Sequence, residues 1–154
     1  MQHLQSDVQH FMELAQQETP KYPFIPTPEV RKLRAKLILE EALEQCQALG
    51  VEITTTAIGA ALKLDEAGLQ FHPVNQPDIT LIADGICDQL YVSIGTGVAF
   101  GLDLAPIWKL VHEANLAKFG PGSYRRDDGK QMKPPGWVAP DEAIRLEIQS
   151  QVHA

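Results

Sequence analysis

Apolar residues recur at helical spacing in five stretches of this chain, and the segments between them are marked by proline, glycine and β-branched residues. Leu4, Val8, Phe11, Met12 and Ala15 share one face over residues 4–18, and Pro20, Pro23, Pro26 and Pro28 prevent that helix from continuing. Thr27 ahead of Pro28 and Glu29 has the form of an N-cap followed by proline at the first helical position. A long second helix is therefore predicted from there to Leu49, stopping at Gly50. Val51, Ile53, Thr54, Thr55 and Thr56 are β-branched, and Gly59, Gly68 and Pro73 break the stretch after them, so residues 51–73 read as a small β-like insert or flap. Helical periodicity returns from Asp78 through Phe100 to Gly101, and a fourth helix spans roughly Ala105 to Phe119 before Gly120-Pro121-Gly122 ends it. Residues 120–140 read as loop. Pro140-Asp141-Glu142 then opens a last amphipathic helix to about Val152 that carries Ile144, Leu146 and Ile148. The prediction is an all-α bundle of about five helices with one small β-like insert.

Composition narrows the picture. A chain of 154 residues, 44% hydrophobic and 21% charged, is sized for one core, so a single domain over residues 1–154 is expected. The net charge of -7 excludes nucleic-acid binding by general attraction to phosphate, which needs an excess of Lys and Arg. Cys46 and Cys87 both lie in apolar, helix-like stretches without metal-ligand spacing and read as buried free thiols. Residues 1–8 carry no apolar signal region, and no run of 18 apolar residues occurs, so a soluble cytoplasmic protein with no membrane segment is expected.

The candidate chemistry lies in the acids. At 100° per residue, Val30, Leu33 and Leu37 form a stripe that continues through Glu40, Glu41, Glu44 and Ala48, while Arg31, Lys32 and Lys36 occupy other positions. In the third helix Asp84 and Asp88 share a stripe with Leu81, Tyr91 and Gly95. Both acidic patches are thus expected on inward faces. Gathering such carboxylates without counter-charge costs roughly 3 to 5 kcal/mol per uncompensated ion, more than a marginally stable domain absorbs. Bound divalent cations remove the conflict, and an all-oxygen ligand set suits magnesium or manganese. The competing reading is an ordinary acidic helix surface with Lys and Arg partners.

The fourth helix and the loop after it carry the opposite charge. Asn115 and Lys118 fall on the face of Val111 and Ala114, and the loop sets Arg125, Arg126, Lys130 and Lys133 against Asp127 and Asp128. A phosphate clamp and a solvated basic loop both fit that pattern. His112 reads as a packed or surface histidine. Gly95-Thr96-Gly97 lacks the Gly-Lys-Thr that completes a phosphate loop, so close helix packing is expected there.

These residues resemble a known family. Glu40-Glu41-Ala42-Leu43-Glu44 is similar to the EExxE half of the MazG-type signature, and Asp88 falls where its second motif, ExxD, has its aspartate. The glutamate position of that motif is Gly85 in this chain, with Asp84 one residue earlier. The segments 84–92, 101–103, 111–118, 128–130 and 133–137 also resemble the MazG-like, phosphoribosyl-ATP-pyrophosphohydrolase-like group. The resemblance implies a helical bundle assembled as a homodimer or homotetramer with active sites between subunits.

The activity it implies is cleavage of a nucleoside triphosphate between the α and β phosphates, releasing a monophosphate and pyrophosphate. Glu40, Glu41, Glu44 and Asp88, with Asp84, would hold two or three magnesium ions, and Glu41 or Glu44 would act on the attacking water. Asn115, Lys118, Lys130 and Lys133 would meet the phosphates. Phe11 and Trp137 are available to stack on the base or to pack in the core. Relatives act on different (d)NTPs, including dUTP, and a phage branch, MazZ, acts on (d)GTP, in which case the host cytoplasm is the setting. The compact single-domain chain points to (d)GTP, with dUTP or a damaged nucleotide next. Phosphoribosyl-ATP hydrolysis is disfavoured by the 51–73 insert and the long C-terminal segment. From a different class, a non-catalytic helical module that binds a structural cation or a basic partner also accounts for the acids.

Overall fold

The computed structural model describes residues 1–56, 59 and 68–152. The middle of the predicted insert, residues 57–58 and 60–67, lies outside the described residues, as do residues 153–154. The chain forms α1 (Gln2–Leu14), α2 (Pro28–Ala48), β1 (Val51–Thr55), β2 (Leu69–Pro73), α3 (Ile79–Ala99), α4 (Leu104–Leu116), a 3-10 turn (Ala117–Phe119), β3 (Tyr124–Arg125), β4 (Gln131–Met132) and α5 (Asp141–Val152). The all-α class and the helix count agree with the sequence reading. Two compact units result, one of Met1–Pro26 with Gly97–Ala154 and one of Thr27–Thr96.

In the 27–96 unit, local chemistry sets each boundary. The Thr27 side chain accepts a hydrogen bond from the Val30 amide at 3.3 Å, and Pro28 fills the first helical position without losing a useful donor. At the other end of α2 the Gly50 amide donates to the Gln47 carbonyl at 2.8 Å, and Gly50 itself takes φ +75, a left-handed turn that suits glycine. β1 then pairs antiparallel with β2, from Val51 opposite Pro73 to Thr55 opposite Leu69. The return to α3 is fixed at α2's end, where the Val74 and Asn75 amides both donate to the Gly50 carbonyl and the Asp78 amide donates to the Ala48 carbonyl at 3.0 Å. The Asp78 carboxylate caps α3 by accepting from the Thr80 amide at 2.8 Å. At Gly85 the two helices approach closely, because a Cβ there would stand 3.4 Å from the Gln45 Cα.

In the other unit, Gln5 of α1 bridges the turn before α4. Its Nε2 donates to the Leu102 carbonyl at 2.7 Å and its Oε1 accepts from the Leu104 amide at 2.9 Å. Gln151 of α5 holds Asp103 in the same two-sided way, at 3.0 Å in each direction. Val8, Met12, Val98 and Ala99 are buried. A Cβ on Gly97 would meet the Leu104 side chain at 2.7 Å, so Gly97 is the close packing contact expected in this run. No single helix among the described residues is long and apolar enough to cross a membrane.

Four details differ from the sequence reading. α1 ends at Leu14, where Gln16 turns left-handed at φ 57, although its apolar spacing continues further. The 120–140 stretch contains a short hairpin, Tyr124 opposite Met132 and Arg125 opposite Gln131, whose strands of two residues are too short to leave an alternation signal. Cys46 is half-buried and Cys87 exposed, so neither is a core thiol. The stripes read as inward are largely exposed: Leu33, on the acid stripe of α2, is 47% accessible, while Arg34 beside it is 7%. A helical wheel groups residues on a face but does not say whether that face is covered.

Candidate active site

Three acids of α2 and two of α3 form one electrostatic group. Glu40, Glu41 and Glu44 sit within little more than one helical turn, and Asp84 and Asp88 are one turn apart on α3. The Glu41 carboxyl is pushed above the usual carboxylate range, first by partial desolvation and then by repulsion from Glu44, Asp88, Glu40 and Asp84. Repulsion of this kind needs all four neighbours close enough to share one field, so the acids that the sequence placed on separate helices act on one carboxyl. Between the helices runs an open cleft of about 340 Å³, lined by Glu44, Gln47, Leu81, Asp84, Gly85 and Asp88 among others.

Glu41 is half-buried, and Glu40, Glu44, Asp84 and Asp88 are exposed. Among the described residues none of the five is held in an ion pair with a Lys or Arg. Of the acidic helix surface that the sequence allowed, the exposure is present at four of the five acids, and the Lys and Arg partners are absent among the described residues. Among the described residues no three Asp, Glu, His or Cys side chains converge closely enough, as they stand, to grip an ion. The chemistry of the donor set, carboxylate oxygens around a Glu41 raised by its neighbours, is of the kind that suits a hard divalent cation. Gly85 lines the cleft and also packs against α2. A Cβ there would meet Gln45 at 3.4 Å, an ordinary packing contact, and the acid of this turn stands one residue earlier, at Asp84.

A second constellation belongs to the 1–26 and 97–154 unit. Trp137 donates through its indole N–H to the Ala114 carbonyl at 2.8 Å, which anchors the loop after β4 onto α4. The Lys133 ammonium lies 3.8 Å and the Lys118 ammonium 5.7 Å from the Trp137 ring centre. Lys118 also donates to the Asn115 side-chain oxygen at 2.7 Å, and Gln131 donates to the Lys118 carbonyl at 3.3 Å. Asn115, Lys118, Lys133 and Trp137 are thus brought together. Lys130 is not part of the group; it sits in the β3–β4 turn, where its amide donates to Asp128. In that turn Arg126 pairs with Asp128 and Arg125 donates to the Gly129 carbonyl at 3.0 Å, so both arginines are spent on the hairpin. Phe11 is 53% exposed, which sets it outside the core. His112 is a surface residue stacked parallel to Trp108 at 6.5 Å.

The family model for phosphoribosyl-ATP pyrophosphohydrolase matches residues 5–115. The chain belongs to this family. It lies within the MazG-like all-α NTP pyrophosphohydrolase superfamily, and membership gives it pyrophosphohydrolase chemistry on nucleotides. No curated protein matches the chain. The family segment contains Phe11, the five acids and Asn115, whereas Lys118, Lys130, Lys133 and Trp137 lie beyond it. Sequence reasoning passed over Gln47, which lines the acid cleft; its position three residues after Glu44 was the available signal.

Proposed function

We propose that this member of the phosphoribosyl-ATP pyrophosphohydrolase family is a divalent-metal-dependent enzyme that converts a (d)NTP and water to (d)NMP and pyrophosphate, with (d)GTP favoured. The observation that carries the reading is the open cleft between α2 and α3 lined by Glu44, Asp84 and Asp88, whose acids have no basic partner among the described residues and repel Glu41. Glu40, Glu41, Glu44, Asp84 and Asp88 would hold two or three magnesium or manganese ions. Those ions, when bound, neutralise phosphate charge and acidify water. Glu41, at the centre of the group, accepts the proton of the attacking water, and Glu44 is the second candidate for that role. Opening of the α–β anhydride leaves the monophosphate and pyrophosphate. Asn115, Lys118 and Lys133 offer a polar and cationic cluster for phosphate oxygens, with Lys130 nearby in sequence.

The half-exposed Leu33, Leu39, Leu43, Ile86 and Leu90 of α2 and α3 support assembly as a homodimer or homotetramer, since isolated helices seldom leave so many large apolar residues in water. A second substrate reading, phosphoribosyl-ATP, is favoured by the description of the matching family. The 51–73 insert and the chain beyond residue 115 argue for the (d)NTP.

The test is incubation with magnesium or manganese and, separately, each common (d)NTP and phosphoribosyl-ATP, with products resolved by ion exchange and pyrophosphate assayed. Monophosphate and pyrophosphate from a guanine nucleotide are expected. Preference for dUTP makes the chain a pool-cleaning enzyme, orthophosphate and a diphosphate overturn the α–β cleavage, and absence of turnover returns the non-catalytic cation-binding module.

A further inference from the structure

The acid cleft continues past its carboxylates. Gln47 comes three residues after Glu44, so it stands on the same face of α2 about 4.5 Å further along the axis. It lines both the acid cleft and a second cavity of about 310 Å³ whose other walls are Gly50, Val51, Glu52, Val74 and Asn75. Backbone bonds build the floor of this second cavity. The Gly50 carbonyl accepts from the Val74 amide at 2.8 Å and from the Asn75 amide at 3.2 Å, and a Cβ on Gly50 would stand 2.2 Å from the Asn75 carbonyl oxygen.

The side chains around that floor are poised for a polar ring. Among the described residues, the Gln47 and Asn75 side-chain amides and the Glu52 carboxylate have no hydrogen-bond or ion-pair partner. His72, which lies opposite Glu52 in the hairpin, is engaged by the Thr54 hydroxyl at 3.1 Å instead. Val51 and Val74 supply apolar surface. The cavity therefore offers one acceptor-only group, two amides and two aliphatic walls, joined through Gln47 to the acid cleft.

We propose that this cavity is the nucleobase subsite and that Glu52 selects guanine, an inference that rests on the pyrophosphohydrolase reading of the neighbouring cleft. Guanine alone among the common bases presents two adjacent donors, N1–H and the exocyclic N2–H, and a carboxylate accepts both at once. Adenine and cytosine set a donor beside an acceptor, and uracil and thymine set one N–H between two carbonyls. An amide by itself would serve adenine as well, so Glu52 carries the choice. The Asn75 side-chain amide donates to guanine O6, and Gln47, at the junction of the cavities, faces the sugar.

The test compares dGTP with dITP, which keeps N1–H and O6 but lacks the N2 amine, in the wild type and in Glu52→Gln, with magnesium present. The wild type is expected to favour dGTP over dITP in kcat/KM by about 10- to 100-fold, the worth of a hydrogen bond to a charged group. Glu52→Gln is expected to bring the ratio to within about 3-fold. A parallel titration measures binding of dGMP and dIMP, which needs no turnover, and Asn75→Ala is expected to weaken both equally because both carry O6. Turnover of (d)NTPs with an unchanged ratio in Glu52→Gln, or a wild type that prefers dATP or dUTP, overturns the guanine subsite and leaves the hydrolase reading standing. Absence of turnover, with dGMP bound more tightly than dIMP only while Glu52 is present, overturns the hydrolase reading and leaves the subsite standing. Equal loss for every base in Glu52→Gln also overturns the subsite, by placing Glu52 in folding or in the phosphate chemistry.

Discussion

A carboxylate among carboxylates destabilises a fold until a cation neutralises it, and Glu41 is the residue here that feels this most. Glu41→Gln removes one of the repelling charges. It is therefore expected to raise Tm in the presence of chelator while lowering turnover by about 10²- to 10⁴-fold, the usual worth of a general base. Thermal melts in chelator beside pyrophosphate assays in magnesium separate the two effects, and a lower Tm for the variant would assign Glu41 a structural partner instead. Asp128 behaves in the opposite sense. The Arg126 side chain and then the Lys130 amide hold its carboxyl below the usual aspartate range. A depressed folded pKa means that the unfolded chain takes up the proton first as pH falls, so the contribution of Asp128 is complete above the unfolded value and disappears through the depressed one. The Tm gap between wild type and Asp128→Asn is expected to stay constant down to about pH 5 and to close below about pH 4. A gap that widens in acid would contradict the pairing.

At the scale of elements, the ends of α2 decide where the cleft lies. Thr27→Ala loses the N-cap bond and is expected to cost about 1 kcal/mol in urea unfolding. Gly50→Ala meets both a left-handed backbone and the Asn75 carbonyl, and is expected to cost about 1–3 kcal/mol or more. Gly85 tests the helix pair. Gly85→Glu restores the acid of the ExxD pattern but must begin its side chain 3.4 Å from the Gln45 Cα. A change of no more than about 1 kcal/mol with no gain in turnover is expected, because the contact at Gln45 is an ordinary one and replacing a mid-helix glycine offsets it. A faster Gly85→Glu would show that this position can supply a ligand in this chain.

At the scale of the molecule, the leucines left in water on α2 and α3 bear on assembly. For a protomer of 17.0 kDa, light scattering after size exclusion is expected to give twice or four times that mass. Leu33 shares its stripe with Glu40 and Glu44, so Leu33→Lys is expected to lower both the mass and the turnover together. A monomeric and active wild type would separate the acid cleft from any partner subunit.

Helix boundaries were legible in the sequence because their causes are local: Thr27-Pro28 opens α2, Gly50 ends it, and Asp78 caps α3, each through bonds spanning a few residues. The β1–β2 excursion was legible for the same reason, from β-branched residues beside turn formers. The five acids were also legible from spacing along one helix at a time, and the family from the resemblance of the motifs around them. Periodicity left undecided whatever depends on neighbours distant in sequence. Only the fold shows that Glu44 and Asp88 press on Glu41, that Leu33 is exposed while Arg34 is buried, that Gly85 is a packing contact, and that Lys118 and Lys133 meet over Trp137. Spacing along a helix sets which side chains share a face, but the field, the cover and the company at that face come from elements brought together by packing.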